Sequence, residues 1–597
     1  MLARTDSRAR ALILLIVLTL VATAIGGRLA WWQVVQRDRL TAMALNQLAQ
    51  NEAIPAERGT IHDARGVMLA TSVQAYSVFA TPPYVTDKPA KAAILATALG
   101  LPEDHVLALL NSGRPWVWLK RRVDQRESDV ISSLAWPGVG LIPETKRVYP
   151  AAGPGPKTTM AAQLLGYVDI DGKGQYGVEG AENKLLAGLP GYVTAEADVD
   201  GRQIGNSVYE LRSPVNGADL TLTIDAGLQH ILETQLWDTF TLDSAKGITG
   251  IVMDVRTGAI KAMASFPTFD ANGYSGSDPS LFINPAVAHP YEPGSVMKAF
   301  TIAAALDAGA ITTDTKVVDD NRLTIGDVRI QNADRFEHPW GHGKLTAQQV
   351  LQLSNNNGAA RIGLKLGGER LYQALRRFGF GQRTGIDISG EARGTVWDPS
   401  SPNASGDLTT AQNAFGQGLT VTAVQLVAGY AAIANGGTLV TPHVIAGWTD
   451  AHGVYHANDI QAGERVIRPE TAATTIKLLL GAIDGGIAHS AGVPGYSIAG
   501  KTGTAQIAGP VQVRDASGHF VTRSAYVEGW IDASFIGVYP ASNPRLVTLI
   551  LIHRPVTWGR SYSMVQRPEI TFHLLAPQIL DYLAIPPDRR TSPVAAR

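Results

Sequence analysis

From Ala11 to Gly27 the chain carries no charged residue and is built mostly of Leu, Ile, Val and Ala. As an α-helix, those 17 residues would extend about 26 Å at ~1.5 Å per residue, close to the hydrocarbon thickness of a bilayer. Beyond Arg28 the apolar character resumes through Leu29, Ala30, Trp31 and Trp32. Arg28 can reach its charged head back to the interface, and a tryptophan pair suits a membrane–water boundary. We read 11–32 as a single-pass transmembrane anchor. Two other readings stay open: a signal peptide cleaved after Ala22-Thr23-Ala24, and a buried helix. Arg4, Arg8 and Arg10 before the span are balanced by Arg28, Arg37 and Arg39 after it, so the positive-inside rule barely discriminates. No second stretch of this kind follows, so the remainder of the 597 residues is expected on one side of the membrane.

The rest of the sequence is ordinary globular material, with 45% hydrophobic and 17% charged residues, which excludes a wholly disordered chain. The formal net charge of −1 argues against a basic nucleic-acid surface, and no nucleic-acid partner is expected. Cysteine is absent, which removes disulfides, zinc–thiolate sites, iron–sulfur clusters and cysteine nucleophiles.

Residues 33–50 read as a polar helix leaving the membrane. Ala53 to about Pro214 mixes short apolar runs with Gly/Pro punctuation such as Pro82-Pro83, Pro137-Gly138 and Gly153-Pro154-Gly155-Pro156. Val193 to Tyr209 is strand-like around an Asp200-Gly201 turn, and Gly217 to Thr223 alternates as a strand. Asp225 then caps a helix from Ala226 to about Leu236. Gly250–Val255, a turn at Arg256-Thr257-Gly258 and Ala259–Ser265 form a hairpin at a sheet edge. Apolar helices are expected over Met297–Leu306 and Ala423–Ala434, strands over Ser534–Tyr539 and Leu546–Ile552, and a last helix from Phe572 to Leu583. The expected organisation is α+β: a 1–10 tail, the 11–32 anchor, a mixed membrane-proximal module over 33–215, a larger block over 216–585, and a loose 586–597 tail.

A serine nucleophile needs a base, and Ser-x-x-Lys puts both on one helical face. The pattern occurs once, as Ser295-Val296-Met297-Lys298, after Pro293-Gly294 and ahead of an uncharged run. In such a helix Ser295 would lie in the first turn, where the dipole favours an oxyanion. Lys298 would lie against apolar neighbours that disfavour its ammonium form. Lys501-Thr502-Gly503-Thr504 offers a cation and hydroxyls for a carboxylate, with a glycine that lets a substrate backbone approach. Ser354-Asn355-Asn356 offers a hydroxyl relay at Ser354 and an amide-binding side chain at Asn356. Each pattern alone is weak, and Ser401-Pro402-Asn403 is a second Ser-x-Asn match. His338 and His342 are four apart, but Pro339 and Gly341 oppose a helical pair of zinc ligands. No metal and no cofactor is expected.

In order, the three elements resemble the signature of penicillin-binding proteins and serine β-lactamases, spaced as in the transpeptidase members. The surroundings fit as well: Tyr291-Glu292-Pro293-Gly294, His342-Gly343, Gly416-Gln417-Gly418 with Thr422 and Gln425, Asn435-Gly436-Gly437, and Ala533-Ser534-Phe535. Upstream, Arg58-Gly59-Thr60-Ile61-His62-Asp63-Ala64-Arg65-Gly66, Arg147-Val148-Tyr149-Pro150, and Gly177-Val178-Glu179-Gly180 resemble the membrane-proximal motifs of class B. Gly201-Arg202-Gln203-Ile204 resembles that class's junction. Three departures stand out. Ala64 stands where arginine is usual, Val296 where threonine is common, and Gln566-Arg567-Pro568-Glu569 replaces a Gly- and Ala-rich stretch.

The resemblance implies a pedestal or dimerisation-type domain followed by a penicillin-binding, β-lactamase-like transpeptidase domain, an antiparallel sheet packed with helices. It implies D,D-transpeptidation of peptidoglycan stem peptides, on lipid-linked or nascent glycan. Ser295 would be the nucleophile and Lys298 its base. Ser354 and Asn356 would assist, Lys501, Thr502 and Thr504 would hold the terminal carboxylate, and Gly503 would belong to the same catalytic element. The backbone N–H groups of Ser295 and Thr504 would form the oxyanion hole. β-Lactams are the implied covalent inhibitors. A polytopic SEDS-type glycan polymerase, FtsW-like or RodA-like, is the implied partner beside other division or elongation proteins, with Trp31, Trp32, Arg58 and Gly59 as contact candidates. The septal, FtsI-like branch is favoured over elongation. A membrane-anchored carboxypeptidase or β-lactamase and a β-lactam sensor or scaffold remain alternatives. The bulk of the chain is expected outside the cytoplasmic membrane.

Overall fold

The computed structural model describes residues 7–37, 39–40, 49–197, 203–402, 404–514, 519–556 and 567–589. The chain separates into two compact units, one of residues 1–57 with 188–217, the other of 58–187 with 218–597.

In the first unit the apolar run forms the helix Ser7–Ala30, which continues into a wider turn over Trp31–Val35. The stretch Arg10–Val35 is long and apolar enough to cross a membrane. Its two threonines return their hydroxyls to the helix, Thr19 Oγ1 to Leu15 O (2.8 Å) and Thr23 Oγ1 to Thr19 O (2.7 Å). No polar hydrogen of theirs then needs water. Arg28 stacks on Trp32, 5.1 Å from the ring centroid. The polar helix expected over 33–50 is not formed throughout. Ala49–Ile54 is a strand, paired antiparallel with Gly191–Ala197, which in turn pairs with Gln203–Arg212. That partner lies some 140 residues away, so its backbone groups compete with the helix in a way no local pattern reveals. Residues 41–48 and the Asp200-Gly201-Arg202 turn lie outside the described residues.

The second unit holds two larger sheets. In the first, Tyr455–Ala457, Ile445–Thr449, Asp219–Leu222, Ile61–His62, Met68–Ala80 and Val117–Val123 lie side by side, and Val139–Val148 also pairs with Met68–Ala80. Asp219–Leu222 runs parallel to Ile61–His62 and joins strands from both sides of the expected 215/216 division. Helices Lys88–Leu99, Glu103–Leu110 and Gln125–Leu134 pack on this part around Leu95, Leu99, Val106, Leu119 and Ile131.

The other sheet is five-stranded and antiparallel, in the order Ile260–Phe266, Gly247–Asp254, Leu546–His553, Phe520–Tyr539, Ala499–Arg514. Alternation along its strands sorts two cores. Ile248, Val252, Phe535 and Ile550 pack with the helices Ala226–Asp243 and Pro568–Tyr582. Ile251, Met253, Ile536 and Leu549 face the cluster that holds helices Lys298–Asp307 and Ala423–Ala434. Asp225 caps its helix as expected, accepting from the N–H groups of Gly227 (2.9 Å) and Leu228 (3.1 Å). The final helix begins four residues before the expected Phe572, with Pro568 in its first turn, where a missing N–H costs nothing. The start of the expected loose tail is tied down. Asp588 accepts from Ser497 N (2.7 Å) and Ser542 Oγ (2.5 Å), and Arg589 forks onto Asp484 at 3.0 and 2.8 Å. Residues 590–597 lie outside the described residues.

Arg58 and Gly59, expected as partner contacts, are interior. Glu179 is fully buried and accepts from Arg58 Nε (2.8 Å) through one oxygen and from Arg147 Nε (2.7 Å) and Tyr149 Oη (3.3 Å) through the other. Arg58 Nη1 also donates to Asn183 Oδ1 (2.9 Å), and Arg147 Nη1 to Gly59 O (2.8 Å). A Cβ on Gly59 would lie 1.9 Å from Ala218 O, so only glycine admits that strand. One carboxylate thus pairs with two guanidinium groups withdrawn from water. Breaking such a set strands the remaining charges, at about 3–5 kcal/mol. Glu179→Ala should therefore lower unfolding stability by about that amount. The check is denaturant unfolding beside Glu144→Ala, whose Arg121 partner is half-buried.

Candidate active site

The expected Met297–Leu306 helix is an α-helix over Lys298–Asp307, and Ser295 precedes it in a tight 3-10 turn over Gly294–Met297. Gly294 enters that turn at φ +63°, and its N–H donates to Gly416 O (2.9 Å). The i→i+3 closure ends with the Lys298 N–H on Ser295 O, which brings the two side chains together. Every residue from Lys298 to Ala305 is buried. Phe300 is boxed in by Phe378, Phe380 and Tyr430, and the Tyr430 hydroxyl donates to Val296 O (2.8 Å), which locks the turn.

Lys298 Nζ lies 2.8 Å from Ser295 Oγ, 2.6 Å from Ser354 O and 2.7 Å from Asn356 Oδ1. The last two are acceptors only, so they take two N–H bonds. The third direction, toward Ser295 Oγ, is where a neutral amine keeps its lone pair. Burial holds the Lys298 ammonium well below the usual lysine range, and the nearby Lys501 charge lowers it further against the opposing pull of Asp334. The arrangement can accept a proton from Ser295 and activate its oxygen.

Ser354 bridges the two lysines. Its hydroxyl is 2.9 Å from Lys501 Nζ and 3.3 Å from Lys298 Nζ. It sits between the helices Ala347–Gln352 and Asn356–Leu366 at φ +51°, a left-handed conformation that is uncommon for serine. The buried Asp319 holds the loop in place. It accepts from Asn355 Nδ2 (2.6 Å), Asn332 Nδ2 (3.0 Å) and His342 N (2.9 Å), and Asn332 Oδ1 in turn accepts from the N–H groups of Asn356 and Asn357. Asn356 was expected to meet a peptide amide. Its oxygen instead takes Lys298 and its Nδ2 donates to Gln331 O (2.8 Å).

Lys501 lies on the strand Ala499–Arg514, with Nζ 3.2 Å from Thr502 Oγ1. Burial lowers its pKa to about 7, against the opposing charge of Glu569. Gly503 was expected to admit a substrate backbone. Its missing side chain also serves the fold, because a Cβ there would lie 2.4 Å from Ser534 Oγ and 2.8 Å from Pro293 O. Thr504 stands on the same strand with its backbone against Gly294.

The structure thus brings together Ser295, Lys298, Ser354, Asn356, Lys501 and Thr502, with Gly503 and Thr504 beside the serine turn. Trp31 and Trp32 belong to the other compact unit and are exposed. Sequence reasoning missed Asp319, Asn332 and Asn355. Asn355 carried a signal, an Asx residue just before a helix whose Gly358 N–H it caps at 2.7 Å, whereas Asp319 and Asn332 carried none. Asp334, His338 and His342 converge without a helix, their ligand atoms within 4.8 Å of one another, because the Pro339–Gly341 turn folds one histidine ring back over the other. They could hold a divalent ion, and His342 Nε2 lies 2.7 Å from Asp334 Oδ2. Gln566 of the unusual C-terminal stretch lies outside the described residues, whereas Glu569 is buried and ion-pairs with Arg567 (3.3 Å).

Residues 248–574 match the model of the penicillin-binding protein transpeptidase domain, and residues 53–222 that of the penicillin-binding protein dimerisation domain. The chain is 31% identical to stage V sporulation protein D of Bacillus subtilis over 92% of its length and 82% of that protein's. It is 30% identical to the peptidoglycan D,D-transpeptidase FtsI of Escherichia coli over 95% of this chain and 90% of the relative. The crystal structure of penicillin-binding protein 3 from Mycobacterium tuberculosis, complexed with aztreonam, superimposes with a TM-score of 0.66 at 26% identity, covering 90% of this chain and 99% of that one. A dimerisation domain followed by a transpeptidase domain, with a buried lysine against a serine at the head of its central helix, completes the assignment: the chain belongs to the penicillin-binding protein transpeptidase family.

Proposed function

We propose that the protein is a serine D,D-transpeptidase that crosslinks peptidoglycan stem peptides. The observation that carries this reading is Lys298, buried between Ser354 O and Asn356 Oδ1 with its remaining direction on Ser295 Oγ. Ser295 Oγ attacks the carbonyl between the two terminal D-alanines as Lys298 takes its proton. Backbone N–H groups of Ser295 and Thr504 receive the oxyanion, each donor worth about 2.7–4 kcal/mol. Lys501, Thr502 and Thr504 hold the terminal carboxylate. Ser354, between the two lysines, passes a proton to the departing D-alanine amine. The amine of a neighbouring stem then attacks the acyl-enzyme ester, forming the new amide and returning Ser295 to its alcohol. A β-lactam enters the first step and stays on Ser295.

The Arg10–Val35 helix supports a single-pass cytoplasmic-membrane anchor with the catalytic unit outside. Trp31 and Trp32 are the remaining candidates for contact with a SEDS-type glycan polymerase. The division branch is favoured by the moderate upstream length and by the likeness to FtsI of Escherichia coli.

Ser295→Ala should abolish covalent labelling by fluorescent penicillin, and Lys298→Ala should slow it by about 10²–10⁴-fold. Purified enzyme given lipid-linked strands and an added amine should form the crosslinked amide. Hydrolysis alone, or labelling that survives Ser295→Ala, would refute the reading. Gly503→Ala should cost about 10²-fold in acylation rate by forcing the strand off the serine turn, read by stopped-flow labelling. Lys501 loses its charge as pH rises through about 7. Acylation by carboxylate-bearing penicillins should therefore fall above that pH, and Lys501→Arg, always charged, should flatten this alkaline limb even if slower overall.

A further inference from the structure

A cavity lies apart from the lysine–serine site. It measures about 600 Å³, and none of Ser295, Lys298, Ser354 or Lys501 lines it. That size is typical of small-molecule sites. All five strands of the antiparallel sheet contribute to it, through residues such as Ile248, Phe266, Ala508, Asp532 and Leu551, and the chain from Ser280 to Glu292 contributes another wall.

Gln163 and Tyr291 complete the lining. Lys246 and the carboxylates of Asp532 and Glu292 set charges of both signs around the space, which favours a ligand without net charge.

The cavity also adjoins the machinery that places Ser295. Tyr291 exchanges two backbone hydrogen bonds with Val421, both 2.9 Å, and Gly294 N donates to Gly416 O (2.9 Å). Glu292 accepts from Gly418 N (3.0 Å) and from the Tyr526 hydroxyl (2.9 Å). The segment from Tyr291 to Gly294 is thus pinned along its length and ends on the nucleophile, while Gln506 on the opposite wall lies two residues beyond Thr504 on the Lys501 strand.

We propose that this cavity is a second binding site, for an uncharged small molecule whose apolar body fills the space, and that its occupation changes the rate at which Ser295 is acylated. The proposal rests on the reading of Ser295 as the acylated residue. Coupling runs through the Tyr291–Gly294 segment, and by linkage a ligand that binds the acylation-competent arrangement less well slows the reaction.

The absence of cysteine makes a clean experiment. Ser280→Cys sets a single thiol at the exposed mouth of the cavity. In the full chain in detergent, benzyl methanethiosulfonate is attacked by the thiolate, forms the benzyl mixed disulfide and releases methanesulfinate. Methyl methanethiosulfonate, too small to fill the cavity, is the control for modification itself, and Ser132→Cys with the benzyl group is the control for position. Each form is compared with its own unlabelled state. The benzyl group at position 280 should change the penicillin acylation rate by about five-fold or more, reversibly with dithiothreitol. The methyl group, and the benzyl group at position 132, should leave it alone. Free N-benzylacetamide, a neutral probe with an apolar body, should bind by saturation-transfer NMR and lose that signal when position 280 carries the benzyl group. Complete benzyl labelling with an unchanged rate, equal effects of benzyl and methyl, labelling of only the denatured chain, or no binding of the free probe would each overturn the proposal. Failure of the Ser295 reading looks different, since no form, labelled or not, would then be acylated there.

Discussion

Lys298 Nζ occupies a place where an ammonium ion is poorly held. The amine is fully buried, it has a second buried lysine nearby, and it faces two oxygens that can only accept. Two N–H bonds satisfy those oxygens, and the lone pair that remains faces the hydroxyls, with Ser295 Oγ at 2.8 Å nearer than Ser354 Oγ at 3.3 Å. The chemistry of the site follows from this desolvation. An exposed lysine at the same distance would stay charged and could donate to the serine but not deprotonate it.

Keeping that geometry takes three elements far apart in sequence, and each is held by a close approach that tolerates no slack. The serine turn seats on Gly416 through Gly294, and a Cβ on Gly416 would lie 1.9 Å from Gly294 O. The Lys501 strand comes against the same turn because Gly503 lacks a side chain. The Ser354 loop takes a left-handed backbone that Asp319, Asn332 and Asn355 enforce from below with hydrogen bonds to buried groups. Energy invested in these contacts fixes the positions of a few atoms, which is what a preorganised site requires.

The membrane-proximal part follows the same economy with charges. Arg58 reads in the sequence as a partner-contact candidate, yet it, Arg147 and Glu179 close on one another in the interior and tie strand to helix. Their burial explains why a motif that invites a partner-contact reading serves the integrity of the domain instead. The exposed aromatic residues Trp31 and Trp32 carry what remains of that reading.

The sequence by itself determined the apolar span, the helices around Ala226, Lys298 and Ala423, the hairpin at the sheet edge, and the ordered serine, lysine and Lys-Thr-Gly elements. Each of these is written locally, in a run of apolar residues, a cap, a turn or a short motif. Only the tertiary structure decided that Ala49–Ile54 is a strand, that Gly503 makes room for the serine turn, that Asn356 is spent on Lys298, and that Asp319 and Asn332 support the loop. In each of those cases the deciding partner lies tens to hundreds of residues away. A backbone group, a missing Cβ or a buried amide acquires its role from whatever folding sets opposite it, and that identity is absent from the local pattern.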